Sequence, residues 1–210
     1  MTGSLPRYIV CCLAAMALAS TASAQTRFTT IVIDPGHGGF DHGGIPGQRV
    51  LEKNMNLDVA LRLKPILEKA GYRVVMTRTT DIFVPLGSRV AIANSYPNGI
   101  FLCIHFNSAS RSGASGIETY FYSTESAPLA ASIHSAVVGG APSENRGVRR
   151  RGYFVLRRTT IPAVLVECGF LTNPTEAEFA QTTAYRQKLA QEIARPGINS
   201  ASSPPSYRLK

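Results

Sequence analysis

The chain has 210 residues, 17% of them charged and 44% hydrophobic, with 18 Gly, 13 Pro and a formal net charge of +9. This composition excludes disorder along the whole length, and a low charged fraction without apolar heptads excludes a long coiled coil. The length suits one domain with a core of its own and leaves little room for two.

Residues 1–24 read as a secretory signal peptide, with Arg7 near the amino terminus, an apolar stretch Tyr8–Ala19, and an Ala22-Ser23-Ala24 cleavage site before Gln25. The apolar part is shorter than the roughly 20 residues of a membrane span, so no stable membrane insertion is expected after cleavage. The protein is therefore expected to be exported, to the periplasm or otherwise to the cell exterior. Cys11 and Cys12 leave with the signal. Cys103 and Cys168 each sit in an apolar run and read as core thiols, and spacing alone cannot establish a disulfide between them. The surplus positive charge favours an anionic partner, and export makes a cell-surface polymer a better fit than nucleic acid.

Past the signal, Thr29–Asp34 reads as a strand ending in Pro35-Gly36. Val59, Ala60, Leu63, Ile66, Leu67 and Ala70 then recur at helical spacing, with Asn54 as the expected N-cap and Gly71 as the stop. Pro65 predicts a kink or a late helix start, because an interior proline removes a backbone hydrogen bond. Tyr72–Thr77 is the next strand and completes a βαβ unit. Leu86–Asn94 reads as a short helix, Ile100–His105 as a buried strand, Gly116–Tyr122 as a strand and Pro128–Val138 as a helix. Gly139–Arg151 reads as a loop, Ala163–Glu167 as a buried strand, and Glu176–Ala194 as one or two closing helices. The alternation predicts a single α/β domain over residues 27–197, with a twisted, mostly parallel central sheet flanked by helices on both faces. Residues 198–210 are expected to form a disordered tail.

Ligands of open α/β sheets gather beyond the carboxyl ends of the strands, so residues that end strands carry the information. His37 follows the first strand, His105 closes the third, Glu167 closes Ala163–Val166, and Glu52 stands just before the first helix. Two imidazoles and a carboxylate suit a catalytic zinc with one open position, and a second carboxylate can serve as general base. These residues are far apart in sequence, so they permit a site without proving one. Taken singly, His37 also reads as a surface residue in a Gly-rich turn and Glu52 as a solvated helix-start carboxylate. Glu167 is the hardest to dismiss, since a carboxylate closing such an apolar run must be paired, metal-bound or shifted in pKa.

The stretches IVIDPGHGGFDHGG, LEKNMNLDVALRLKPILEKAGYRVVMTRTTD, FLCIHFNSA, GIETYFY and PAVLVECGFLTNPTE follow one another from about Thr29 to Ala194. Together they closely resemble the zinc-dependent N-acetylmuramoyl-L-alanine amidases of the amidase_3 family. That resemblance implies a single zinc per chain on His37, Glu52 and His105, with Glu167 as the catalytic glutamate. It implies peptidoglycan as the partner and cleavage between the lactyl group of N-acetylmuramic acid and the L-alanine of the stem peptide. A non-catalytic peptidoglycan-binding module and a zinc peptidase cutting within the stem peptide are the alternative readings.

Cys168 is not expected to be a nucleophile, because neighbours in a strand point to opposite faces. His42 is expected at the rim, His134 at the surface, and Asn107 in the pocket lining. Cys103, Pro65 and the very basic run Arg146–Arg151 depart from the family's usual pattern. With Arg157 and Arg158 that run reads either as a solvated loop or as a cationic wall for stem-peptide carboxylates and other wall anions. Some family members carry an inserted helix that plugs the site until a partner removes it. Only about 45 residues separate Gly116 from Ile161, so an open site is expected here, with any activator protein unknown.

Overall fold

The computed structural model describes residues 28–46 and 48–196, so the expected signal peptide and tail both lie outside the described residues. The first βαβ unit consists of β1 (Thr30–Pro35), α1 (Glu52–Lys69) and β2 (Arg73–Met76). It is followed by α2 (Leu86–Asn94), β3 (Gly99–Asn107), β4 (Ile117–Phe121), a 3-10 turn at Thr124–Ser126, and α3 (Ala127–Gly140). The chain continues through β5 (Asn145–Arg150), α4 (Phe154–Arg158), β6 (Ala163–Phe170), α5 (Pro174–Gln181) and α6 (Thr183–Ala194).

The six strands lie in the order β2-β1-β3-β6-β4-β5. β4 meets β6 antiparallel and every other pairing is parallel, so β4 and β5 run against the other four. β1, β3 and β6 are buried on both faces, which explains their near-continuous runs of β-branched and apolar residues. One face packs Ile31, Ile33, Leu102, Ile104, Val164 and Val166 against Val59 and Leu63 of α1, Ile133 of α3 and Leu189 of α6. The other packs Val32, Phe101, Cys103 and Leu165 against Val90 of α2 and Leu156 of α4. Each such side chain contributes about 1.5–3 kcal/mol when fully buried. This is the expected α/β layering. Among the described residues no helix is long and apolar enough to cross a membrane.

Several local expectations change. α1 begins at Glu52 rather than after Asn54, with Leu51 at the N-cap and no capping side chain. It also runs through Pro65. The carbonyl that proline leaves without a donor belongs to Leu61, on the helix's exposed side, where water can satisfy it. Arg-rich 145–150 forms β5, the sheet edge, where charged side chains guard against further pairing. His134 is buried, with its Nδ1 3.0 Å from Thr119 Oγ1 and its Nε2 2.8 Å from Asn145 Oδ1, so it ties α3 to β4 and β5. Cys103 and Cys168 are free buried thiols on opposite faces of the sheet.

Candidate metal centre

The carboxyl ends of β1, β3 and β6 converge on one spot, and the first residue of α1 leans over them. Glu52 Oε1 accepts from His105 Nδ1 at 2.8 Å, from the Phe106 amide at 3.2 Å and from Asn56 Nδ2 at 3.3 Å. Its Oε2 lies 3.2 Å from His37 Nε2. The ligand atoms of His37, Glu52 and His105 all fall within 4.8 Å of one another. The three residues read from sequence as metal ligands are thus brought together.

A tetrahedral zinc with bonds of about 2.0–2.1 Å separates its ligand atoms by roughly 3.3 Å, and the two Glu52–His separations, 3.2 and 2.8 Å, fall at and somewhat below that spacing. The donor set of two neutral imidazoles and one carboxylate fits the ion as well. So does the backbone. A Cβ on Gly36 would stand 2.2 Å from the His105 ring, and one on Gly43 would stand 2.5 Å from Glu52 Oε2 and 2.7 Å from the His37 ring. Only glycine lets these turns pass so close to the ligands.

Burial works against charge on both members of the His37–Glu52 pair, and their mutual contact outweighs it. Burial alone would raise the Glu52 carboxyl, yet hydrogen bonds from His105 and His37 hold it well below the usual carboxylate range. Burial would lower His37, and the neighbouring Glu52 and Asp41 carboxylates raise it instead. His37 Nδ1 lies 2.8 Å from Asp41 Oδ1, although off the line of a good hydrogen bond. A carboxylate behind the far ring nitrogen is the usual support for a metal-binding histidine.

His37 has φ 61°, the left-handed backbone region that a non-glycine residue enters at a cost of about 1–3 kcal/mol. Buried side chains hold it there. Arg89 donates to Asp34 Oδ1 and the carbonyls of Pro35, His37 and Val84, all within 2.9 Å. Arg78 donates to the carbonyls of Pro35, Gly36 and Lys53. Lys53 Nζ bridges the Gly39 carbonyl and Asp81 Oδ2, each at 2.7 Å. Sequence reasoning passed over Arg78, Arg89 and Lys53. The available signal was the number of strand-end and turn carbonyls around 35–39 that no ladder could satisfy.

Glu167 sits in β6 directly beside His105 of β3 and, on its other side, beside Glu118 of β4. Its Oε2 is buried and has no hydrogen-bond partner. Burial pushes its carboxyl well above the ordinary range, and the negative Glu52 and Glu118 push the same way. Cys168 points to the opposite face of the sheet, as expected, and burial raises its thiol above the usual value. His42 is exposed, with its carbonyl accepting from the Lys53 amide. Asn107 donates to Glu118 Oε2 at 2.8 Å.

A cavity of about 350 Å³ opens beside the cluster, lined by His37, Asp41, His105 and Cys103 together with the apolar Phe83 and Val155. A second, of about 620 Å³, lies between Ile45, Gln48 and Val50 on one side and Leu171, Pro174 and Gln181 on the other, and none of the four proposed site residues lines it.

Residues 31–199 match the profile of the N-acetylmuramoyl-L-alanine amidase family. The chain is 38% identical over 176 residues to the "Probable cell wall amidase LytH" of Staphylococcus epidermidis, covering 83% of this chain but only 59% of that protein. It is 37% identical to the uncharacterized protein YqiI of Bacillus subtilis, over 92% of this chain and 96% of that one. Among solved structures it resembles the catalytic domain of the amidase CwlV from Bacillus (Paenibacillus) polymyxa, with a TM-score of 0.76 and 34% identity. That likeness covers 82% of this chain and 95% of the CwlV chain.

Proposed function

This chain belongs to the N-acetylmuramoyl-L-alanine amidase family, and on that premise we propose that it cleaves the amide between the lactyl group of N-acetylmuramic acid and L-alanine of the peptidoglycan stem peptide. His37, Glu52 and His105 hold a single zinc ion, and Glu167 is the catalytic base. The observation that carries this reading is the partnerless buried Oε2 of Glu167, one strand over from His105 in the three-residue cluster. The four residues also argue against a non-catalytic binding module, which has no use for a buried unpaired carboxylate.

When bound, zinc supplies Lewis acidity, polarising the amide carbonyl and making water a nucleophile near neutral pH. Glu167 Oε2 takes a proton from the attacking water and delivers it to the leaving amine nitrogen. The C–N bond breaks, and the products are a lactyl carboxylate and a free L-alanine amine. The burial that raises the Glu167 carboxyl also makes its carboxylate a stronger base. Asp41 orients the His37 ring, while Arg78 and Arg89 fix the backbone that carries it.

The cleaved signal, residues 1–24, would deliver the catalytic domain, residues 27–197, to the periplasm or otherwise the cell exterior, with 198–210 as a tail. An open site that needs no activator is part of this proposal, and activity on peptidoglycan that appears only when a partner protein is added would contradict it. Digestion of purified sacculi followed by mass spectrometry tests the reading. The expected products are stem peptides with a free L-alanine amine and unsubstituted muramic acid. Glycans that keep L-alanine would point to a peptidase, and intact sacculi to a binding module.

A further inference from the structure

Glu118 is a second buried carboxylate in the same row, and it is as fully partnered as Glu167 is bare. Its Oε2 accepts from Asn107 Nδ2 at 2.8 Å and from the Tyr120 hydroxyl at 2.7 Å. Its Oε1 faces Arg146 Nε at 3.2 Å and Arg149 at 3.3 Å. Two residues three apart in a regular strand point to opposite faces. Here β5 carries one extra residue opposite Glu118, since Ile117 pairs with Asn145 and Thr119 with Val148. Gly147 takes φ 89° within that bulge, a conformation glycine adopts without strain. The bulge turns both guanidinia to the face that carries Glu118 and Glu167.

We propose that Arg146 and Arg149 bind a free carboxylate of the stem peptide, the α-carboxylate of its second residue, with Glu118 as the positioning residue that holds both guanidinia. The assignment rests on the cleavage site proposed above. Two cations share one carboxylate, so an incoming anion finds uncompensated charge. Glu118 is only 4% exposed, whereas the Arg146 and Arg149 side chains are 29% and 44% exposed and open to a ligand. From Glu167 to β5 is two strand spacings, roughly 10 Å. Two extended residues beyond the scissile amide cover about 7 Å, which an arginine side chain can meet. The planar guanidinium fork matches a carboxylate. Arg146 is also stacked on the Phe170 ring and bonded to the Ser115 carbonyl, while Arg150, stacked on the Tyr122 ring and bonded to the Tyr122 carbonyl, is not paired with Glu118.

The test uses two muramoyl tripeptides that differ only in whether the second residue, a γ-linked glutamate, bears a free α-carboxylate or its amide. Their binding to the zinc-loaded full chain is compared by calorimetry in a Glu167→Gln background, which prevents turnover. The acid should bind about tenfold more tightly than the amide. Arg149→Gln should bring the two ligands within twofold by weakening the acid more than the amide, and Glu118→Gln should narrow the preference in the same way, a loss of discrimination that general loss of structure, which weakens both ligands alike, does not produce. Equal affinities in the parent, or a preference that survives Arg149→Gln, would overturn the proposal. Product analysis with the wild-type chain decides the cleavage site separately, so a wrong bond assignment is distinguishable from a wrong carboxylate subsite.

Discussion

His105 and Glu167 are direct neighbours across the β3–β6 pairing, a metal-ligand candidate and an unpaired carboxylate at the same level of a parallel sheet. Strand register alone sets this relationship. A slip of one residue would turn Glu167 into the core beneath α1, so the packing of Val164 and Val166 also fixes the site.

Asp41 should matter through His37. Asp41→Asn removes the charge 2.8 Å from His37 Nδ1 and should weaken zinc affinity by roughly ten- to a hundredfold. Competition with a chromogenic chelator measures it, and unchanged affinity would remove Asp41 from the support of the ring.

Arg89 should matter through the backbone. It is 3% exposed and paired to Asp34, which is 1% exposed. Arg89→Ala leaves that carboxylate buried and uncompensated, with an expected loss of about 3–5 kcal/mol. Denaturant unfolding of the metal-free protein reads this directly, and a loss under about 1 kcal/mol would show that the strand end needs no such clamp.

Much of this was legible in the sequence and some was not, for physical reasons. The runs around Ile31, Ile104 and Val166 announce buried strands because only a sheet covered on both faces tolerates them. The catalytic candidates stood out because polar residues end those runs. Arg78 and Arg89 did not, since arginine is ordinarily a surface residue and its role here depends on carbonyls supplied by distant turns. β5 was hidden by its arginines, which suit a sheet edge as well as a loop, and His134 by partners on two other strands.

Acid should expose one joint between α1 and α6. Burial alone would raise the Asp58 carboxyl, but hydrogen bonds from Arg62 and Arg186 hold it below its usual value. A carboxyl with a depressed folded-state pKa contributes stability that is fully present above its unfolded value of about 3.9 and is lost as pH falls through the folded value. Asp58→Asn should therefore lower the thermal midpoint at pH 7, with the gap from wild type closing as the pH falls below the unfolded value of about 3.9 and on through the depressed folded one. A gap that widens on acidification would contradict the pairing.

The most direct test of the central claim is zinc content and turnover measured side by side for Glu167→Gln and His105→Ala. Glu167→Gln should keep one zinc per chain while activity on peptidoglycan falls at least a hundredfold, the low end of what a general base contributes. His105→Ala should lose both metal and activity. Activity of Glu167→Gln within about tenfold of wild type, or full zinc retention in His105→Ala, would contradict the assignment.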